Sequence, residues 1–252
     1  MVPLGLQAGL WGLLAGSALL LGAVIGYYIS LSGRIIAAIM AFGAGVLISA
    51  LAFELMDEAY RRGGFDSTAA GFLGGAILYT LANQYLAVQG ARHRKRSGQR
   101  QPSETENSGS GLAIAVGALL DGVPESIAIG ISMIEGGAVS WVTVAAVFLS
   151  NVPEGLSSAA GMKQSGRSQL YIFGVWGLIA AVSGVSALAG YSVFSQFSTE
   201  LIAATLAIAA GAILAMISDT MMPEAFAQAH DFAGLITVCG FLTAFVLSKL
   251  GG

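Results

Sequence analysis

DGVPE (residues 121–125) and SNVPE (residues 150–154) lie inside two apolar runs that are each long enough to cross a bilayer, and each places a glutamate directly after a proline. A carboxylate in hydrocarbon is costly, so it usually faces a cavity, an ion or a partner charge. A proline inside a helix removes one hydrogen bond, which frees a backbone carbonyl and kinks the helix. The two stretches therefore predict a cation site between two kinked helices.

The composition indicates a membrane protein. Of the 252 residues, 56% are hydrophobic and only 10% are charged, and the mean hydropathy is +0.78. Soluble domains carry about 25% charged residues, so this composition excludes an ordinary soluble protein. The chain has one cysteine, Cys239, and therefore no disulfide within itself. There is no phosphate-binding loop or zinc-hydrolase histidine pair, and nucleic acid is not an expected partner.

Eight apolar segments are predicted to be membrane-spanning helices, because a span needs about 20 mainly apolar residues. The first segment is too long for the hydrophobic region of a cleavable signal. The predicted fold is an all-α membrane protein in which residues 1–252 form a single transmembrane transporter domain. The eight segments are residues 4–29, 35–60, 67–90, 111–134, 137–162, 170–192, 201–226 and 232–249.

The longest break between these segments, residues 91–110, lacks the apolar residues needed to bury a core and is predicted to be a flexible loop. Five of the 11 Lys and Arg residues lie within 91–100. Because basic loops stay in the cytoplasm, we place this loop there. With eight alternating spans, both termini then lie outside a multi-pass protein of the cell membrane. The basic tract is expected to contact anionic membrane lipid.

The chain contains an internal repeat. Residues 35–60 align without gaps to residues 201–226, with nine of the 26 positions identical. These are the second and seventh predicted spans, which run in opposite directions. The alignment predicts an inverted repeat of spans 1–3 and 6–8 around the central proline-kinked pair, spans 4 and 5. Such repeats with interrupted helices are typical of transporters.

The acidic side chains of the two quoted stretches are the predicted centre of the site. Asp121 and Glu125 are four residues apart, which places both on one helix face. Glu154 lies on the next span, where Ser150 and Asn151 are weaker neutral ligands. Divalent cations favour oxygen ligands of this kind. Pairing with basic residues is the alternative, and it is not expected because these two spans contain no Lys or Arg.

A further acidic cluster ends the seventh predicted span, where Asp219 and Glu224 flank a proline. The predicted orientation places this cluster toward the cytoplasm, and Glu54, Asp57 and Glu58 in the aligned span toward the outside. Acidic clusters at opposite ends are typical of an entrance and an exit for cations, and solvated helix ends are the alternative. Asp219 and Glu224 are therefore predicted to pass the ion to the cytoplasm.

These motifs resemble those of the Zrt/Irt-like (ZIP) family of divalent-metal transporters over essentially the whole chain. Residues 121–126 match the family motif His-Asn-x-Pro-Glu-Gly as DGVPES, and residues 150–155 match its second motif as SNVPEG. Residues 218–224, SDTMMPE, are similar to its seventh-span motif His-Glu-x-x-Pro-Glu. The resemblance implies that zinc, or else iron, manganese or cadmium, moves into the cytoplasm, and it implies a fold that forms homodimers.

The chain also departs from the family pattern. Asp121 and Ser150 stand where the family has histidines, and Gly122 stands where it has a ligating asparagine. These departures predict one oxygen-rich metal site instead of two. Carboxylates without imidazole discriminate less between zinc, manganese and iron.

The predicted function is a transporter and not an enzyme, with a divalent metal ion, zinc first, as the transported substrate and no resident cofactor. In this hypothesis Glu125 and Glu154 bridge the ion and Asp121 completes the site. Two alternatives stay open. One is an intramembrane metal-dependent hydrolase, which needs an open metal position and a general base. The other is a metal-binding or metal-sensing membrane protein that does not transport.

Overall fold

The computed structural model describes residues 2–97, 100–134 and 138–250, and these residues form helices and connecting turns with no strand. The all-α prediction is therefore confirmed for this part of the chain. The predicted break at 135–137 lies outside the described residues. The α-helices are α1 (Leu4–Tyr28), α2 (Gly33–Ala50), α3 (Asp57–Val88), α4 (Ser110–Ser132), α5 (Trp141–Gln164), α6 (Gln169–Phe194), α7 (Thr199–Met216), α8 (Met222–Ala229) and α9 (Ala233–Leu250).

Serine side chains begin four of these helices. Ser32, Ser140, Ser168 and Ser198 precede α2, α5, α6 and α7, and each accepts a hydrogen bond from the backbone N–H three residues later at 3.2–3.4 Å. This is the N-cap arrangement, which satisfies one of the free N–H groups at the start of a helix. Ser32 and Ser198 belong to the short polar breaks that separate the predicted spans.

Two π-helical segments interrupt the helices that contain the sequence repeat. Leu51–Met56 joins α2 to α3, and Ile217–Met221 joins α7 to α8. Residues 51 and 217 are aligned in the repeat, so the widened turn begins at the same position in both copies. Segments of this kind inside α-helices are frequent at functional sites.

The two copies also pack in matching ways. Helix α2 packs against α9, and α7 packs against α3. Gly45 of α2 and Gly211 of α7 are aligned glycines at these contacts. A Cβ at Gly45 would lie 1.9 Å from the carbonyl oxygen of Thr237, and one at Gly211 would lie 1.9 Å from that of Phe72. Small residues at helix contacts allow this close approach in membrane bundles.

Within the described residues, six helical stretches are long and apolar enough to cross a membrane, which is consistent with a membrane protein. Large apolar side chains also lie exposed on the outer helix faces. On α9 they include Leu235, Val238, Leu242 and Val246. The six stretches are Leu4–Tyr28, Gly33–Val88, Ser110–Ser132, Gln169–Phe194, Thr199–Ala229 and Ala233–Leu250.

The difference between six stretches and eight predicted spans has two sources. Predicted spans 2 and 3 share the 56-residue stretch Gly33–Val88, and α5 is not among the six. Gly64 interrupts that stretch with a φ of +69°, a left-handed conformation that favours glycine. Helix α5 is buried over most of its length and carries several polar side chains. The eight-span arrangement stays a prediction.

The predicted flexible loop, residues 91–110, packs against the helices in its described part. After a short 3₁₀ turn at Ala91–His93, the side chains of Arg94, Lys95, Ser97 and Gln101 are buried. The loop buries polar and charged side chains, and ion pairs and hydrogen bonds hold these side chains in place. Its flexibility stays a prediction, and residues 98 and 99 lie outside the described residues.

Candidate cation site

Three carboxylates are buried where α4 meets α5. Asp121 and Glu125 lie on α4 and Glu154 lies on α5, and their exposed fractions are 3%, 2% and 5%. Pro124 and Pro153 lie inside the same two helices. The structure therefore buries the three principal residues of the predicted site together, beside the helix positions at which proline cannot donate a hydrogen bond.

Arg94 forms a bidentate ion pair with Asp121. Its Nε donates to Oδ2 at 2.9 Å and its Nη2 donates to Oδ1 at 2.8 Å. The Tyr79 hydroxyl donates to Oδ1 at 2.7 Å and accepts from Arg94 Nη2 at 2.7 Å, while Arg94 Nη1 donates to Asn83 Oδ1 at 2.7 Å. Paired N–H groups on a carboxylate are the strongest form of this interaction. Asp121 is consequently held in one position.

Lys95 lies between the carboxylates of the two helices. Its Nζ is 2.8 Å from Glu154 Oε2 and 3.3 Å from Asp121 Oδ2, and all three side chains are buried. One ammonium group therefore neutralises charge on both α4 and α5. Lys95 thus contacts two of the three carboxylates that the sequence predicts to bind a metal ion.

The expectation that these carboxylates lack basic partners is wrong. Arg94 and Lys95 come from the loop between α3 and α4, not from the spans that carry the acids. A buried charge without a partner is strongly destabilising, so acids and bases enter the interior together. The absence of Lys and Arg inside a span therefore does not show that its acids are unpaired.

Glu125 differs from its two neighbours. Its Oε1 and that of Glu154 are both buried without a hydrogen-bond partner among the described residues, but Glu154 forms an ion pair with Lys95 through its Oε2. It contributes to the wall of a small apolar cavity that is also lined by Leu51, Thr143 and Ile213. Glu125 is thus the carboxylate of the three that no basic side chain contacts in the described part of the chain.

A larger polar cavity lies beside this one. It has a volume of about 190 Å³, is lined by Glu54, Glu58, Arg62 and Ser140 among others, and shares Thr143 with the small cavity at Glu125. Glu54 accepts hydrogen bonds from Ser140 at 3.1 Å and from the hydroxyl of Ser248 on α9. Glu54 and Glu58, the predicted entrance residues, therefore line the cavity that adjoins the one at Glu125.

The second predicted acidic cluster is divided by the structure. Glu224 is buried and accepts from the backbone N–H of Ser97 at 2.9 Å, from Ser157 Oγ at 3.2 Å and from Arg96 at 3.3 Å. Asp219 is exposed and accepts one long hydrogen bond, 3.4 Å, from Asn83. The two predicted exit residues therefore have different surroundings.

The two predicted neutral ligands hydrogen-bond to the backbone. Ser150 Oγ donates to the Val147 carbonyl at 3.0 Å, and Asn151 Nδ2 donates to the Ala15 carbonyl of α1 at 2.9 Å. Over residues 2–97, 100–134 and 138–250, no group of three or more His, Cys, Asp or Glu has the arrangement of a metal site. In this state the carboxylates are arranged around basic side chains.

Neutral hydrogen bonds hold the basic segment, which we define as residues 94–97, on α5. Gln101 Nε2 lies 3.0–3.1 Å from the carbonyl oxygens of Arg94, Arg96 and Ser158, and Ser157 Oγ donates to the Lys95 carbonyl at 2.7 Å. These side chains and carbonyls form a polar contact surface for the irregular backbone of the basic segment. The buried backbone of the basic segment is thereby paired as well as its charges.

Sequence reasoning did not identify several residues of this site. Tyr79, Asn83 and Gln101 give no pattern that separates them from surface polar residues. Arg94 and Lys95 do give one, because buried acids on α4 and α5 need counter-charges and the adjoining basic tract is the nearest supply.

The outer part of the loop is attached by Glu104, an exposed residue outside the spans. Arg167 donates to Glu104 at 2.5 Å, and the backbone N–H groups of Gly109 and Gly111 each donate at 2.8 Å. The hydrogen bond from Arg167, followed by those from the two glycines, lowers the pKa of Glu104 from 4.5 to about 2. The ionised form is therefore the one that the folded loop stabilises.

A pH dependence follows from this attachment. Because the folded pKa is below the ordinary value, the stabilisation is complete above pH 4.5 and is lost as the pH falls toward about 2. Arg167→Gln should move the pKa of Glu104 back toward 4.5, as measured by NMR titration of ¹³C-labelled glutamate. Lys163→Gln is the matched control, since Lys163 donates to the Tyr27 carbonyl instead. An unchanged pKa in Arg167→Gln would contradict the assignment.

Comparison with known proteins adds no family to this description. No protein-family model matches the chain, and no curated protein matches it significantly. Family membership therefore stays a prediction from the motifs.

Proposed function

We propose that this chain is a membrane transporter that moves a divalent metal ion, with zinc as the first candidate, through a site formed by Asp121, Glu125 and Glu154. The observation that carries the proposal is the burial of these three carboxylates on two proline-containing helices of an apolar, all-helical protein. Ionisable groups at such positions usually mark an ion pathway. Their contacts with Lys95 and Arg94 support an interior that is built to hold positive charge.

Eight spans remain the arrangement that we favour. A straight helix over the 56 residues of Gly33–Val88 would extend roughly 84 Å, far more than a hydrocarbon core of about 30 Å. A turn at Gly64 would divide this stretch into two spans. Helix α5 would form a further span, shielded from lipid by its neighbours. Both termini would then lie outside, with residues 91–110 in the cytoplasm.

The matching π-helical segments support the inverted repeat. Both begin at aligned positions, residues 51 and 217, and the aligned glycines Gly45 and Gly211 lie at the α2–α9 and α7–α3 contacts. Transporters with inverted repeats place their substrate near the middle of the membrane, between the repeats. Asp121, Glu125 and Glu154 belong to α4 and α5, which lie between the two repeats in the sequence.

A route for the cation is also supported. The cavity lined by Glu54 and Glu58 adjoins the one at Glu125. Glu224 accepts a hydrogen bond from Ser97, the last residue of the basic segment. In the proposal the ion enters at Glu54 and Glu58, binds at the site formed by Asp121, Glu125 and Glu154, and leaves past Glu224 and Asp219. Acidic side chains along this route would attract cations at each step.

Glu125→Gln gives the sharpest test of this function. The change keeps the shape of the side chain and breaks no ion pair, so the protein should fold, but it removes one negative charge from the site. We expect saturable zinc uptake into proteoliposomes to fall at least about tenfold. Glu106→Gln, in the exposed part of the loop, is the matched control and should transport normally. Unchanged saturable uptake in Glu125→Gln would refute the site.

A second candidate function has its own support. Arg94 and Lys95 already balance the charges on Asp121 and Glu154, which would suit a metal-binding or metal-sensing membrane protein that does not transport. The same proteoliposomes separate the two. Metal binding to the purified protein without flux would favour the sensor, and saturable flux would favour the transporter.

A further inference from the structure

Lys95 and a bridging metal ion compete for the same oxygen atoms. The Lys95 Nζ lies 2.8 Å from Glu154 Oε2 and 3.3 Å from Asp121 Oδ2. A divalent ion bound to these two atoms would lie about 2.0–2.6 Å from each of them. It would overlap the ammonium group, so the metal and Lys95 cannot hold this position together.

The charges of the site favour exchange over addition. When Asp121, Glu125 and Glu154 are ionised, they carry three negative charges, against two positive charges on Arg94 and Lys95. Adding a divalent ion to this arrangement would leave a net positive charge in a buried site, which is costly. If Lys95 alone leaves, the remaining charge is minus two, which one divalent ion neutralises.

Arg94 and Lys95 are held very differently. The guanidinium of Arg94 has hydrogen bonds to Asp121, Tyr79 and Asn83 and is fixed in orientation. Lys95 is a point charge at the end of a flexible four-carbon chain, and its contacts in the site are the two ion pairs. Lys95 is therefore the side chain that can leave while Arg94 stays.

We propose that Lys95 is a tethered competitor that occupies the cation position and selects divalent over monovalent ions; this rests on the proposed function. Replacing the single charge of Lys95 with a monovalent ion leaves the charge of the site unchanged, whereas a divalent ion neutralises it. Lys95 thus sets both the affinity and the charge selectivity of the site. The tether is the basic segment, which Gln101 and Ser157 fix to α5.

Zinc titration of the purified full-length protein in nanodiscs tests this competition. Lys95→Met removes the competing charge, so we expect zinc affinity to rise about 5- to 150-fold, the range typical of coupled binding sites. Potassium should also begin to compete with zinc in this variant. Arg92→Met is the matched control, because Arg92 lies three residues before Lys95 but is exposed. This variant should bind zinc as the wild type does. Equal zinc affinity in wild type and Lys95→Met would overturn the proposal.

Amine labelling of the wild type provides a readout that needs no variant. Lys95 is 4% exposed, whereas Lys163 and Lys249, the other two lysines, are exposed and serve as internal standards. Acetylation measured by mass spectrometry should be slow at Lys95 and should increase severalfold at saturating zinc, with the two standards unchanged. Labelling of Lys95 that does not respond to bound zinc would contradict displacement.

The outcomes separate this proposal from the proposed function. One outcome is that the wild type binds and transports zinc while zinc leaves Lys95 labelling unchanged and Lys95→Met has the zinc affinity of the wild type. In that case the proposal that Lys95 competes is overturned and the proposed transport function stands. If only Lys95→Met binds zinc, the competitor stands and transport by the wild type fails. If neither protein binds zinc, both proposals are overturned.

Discussion

Asp121→Ala is expected to destabilise the folded protein by about 3–5 kcal/mol, because it leaves the Arg94 guanidinium buried without its carboxylate. Arg94 is only 2% exposed, and its Nη2 and Nε both donate to Asp121. Tyr79 loses its acceptor at the same time. Unfolding in detergent micelles, followed by circular dichroism against denaturant, measures the change. Asp219→Ala is the matched control, since Asp219 is exposed, and should shift stability by less than about 0.5 kcal/mol.

A double substitution distinguishes the loss of the whole ion pair from the loss of only one of its partners. Arg94→Met combined with Asp121→Leu removes both charges and restores apolar volume, so its stability should lie well above that of either single variant. Such non-additivity identifies a direct interaction. If Asp121→Ala is as mild as Asp219→Ala, the ion pair does not exist in the folded protein.

Gly45→Ala and Gly211→Ala are each expected to cost about 1–3 kcal/mol, because the added methyl group forces two packed helices apart. The new Cβ atoms would lie 1.9 Å from the carbonyl oxygens of Thr237 and Phe72. Alanine otherwise favours a helix over glycine by roughly 0.5–1 kcal/mol, so any loss reflects packing. Thermal unfolding of both variants in the same detergent measures the costs, which should be similar if the two positions are equivalent.

Gly74→Ala supplies the control for this pair. Gly74 lies inside α3, and a Cβ there would meet no atom within 4 Å. It should leave stability unchanged or raise it slightly. Very different costs at Gly45 and Gly211, or a cost at Gly74 as large as theirs, would contradict the equivalence of the α2–α9 and α7–α3 contacts.

The sequence predicts much of this fold for identifiable reasons. Ser32 and Ser198 are of a residue type that favours the N-cap position, and each begins a helix. Gly64 breaks a long apolar stretch where the polar sequence Arg61–Gly64 indicates a turn. The burial of Glu125 and Glu154 follows from their place in apolar runs, since each such run must be covered by other helices or by lipid.

The sequence indicates the basic tract as a source of counter-charge for the buried acids, but it does not show which side chains of the tract enter the interior. A basic tract in a loop is usually solvated, and local sequence gives no measure of how far its side chains reach. Arg94 and Lys95 enter the interior because the carboxylates of Asp121 and Glu154 make burial of a positive charge favourable. That gain appears only after α4 and α5 are assembled, so it is a tertiary effect.

Spacing alone also did not predict the hydrogen bonds that the two proposed neutral ligands make. Ser150 and Asn151 have the right separation from Glu154, yet both donate to backbone carbonyls. A buried hydroxyl or amide takes the nearest acceptor, and in a helix that acceptor is often a carbonyl of the preceding turn or of the helix beside it. Which acceptor is nearest depends on how α1 and α5 pack.

The π-helical segments have a geometric consequence for everything downstream of them. An α-helix advances by about 100° for each residue, and a π turn contains one residue more than an α turn. Each π-helical segment, Leu51–Met56 or Ile217–Met221, therefore rotates the following helix about its own axis. This rotation decides which way the side chains of that helix face. Shortening either segment by one residue would swing Glu58 or Glu224 through more than a quarter of a revolution while leaving the preceding helix undisturbed.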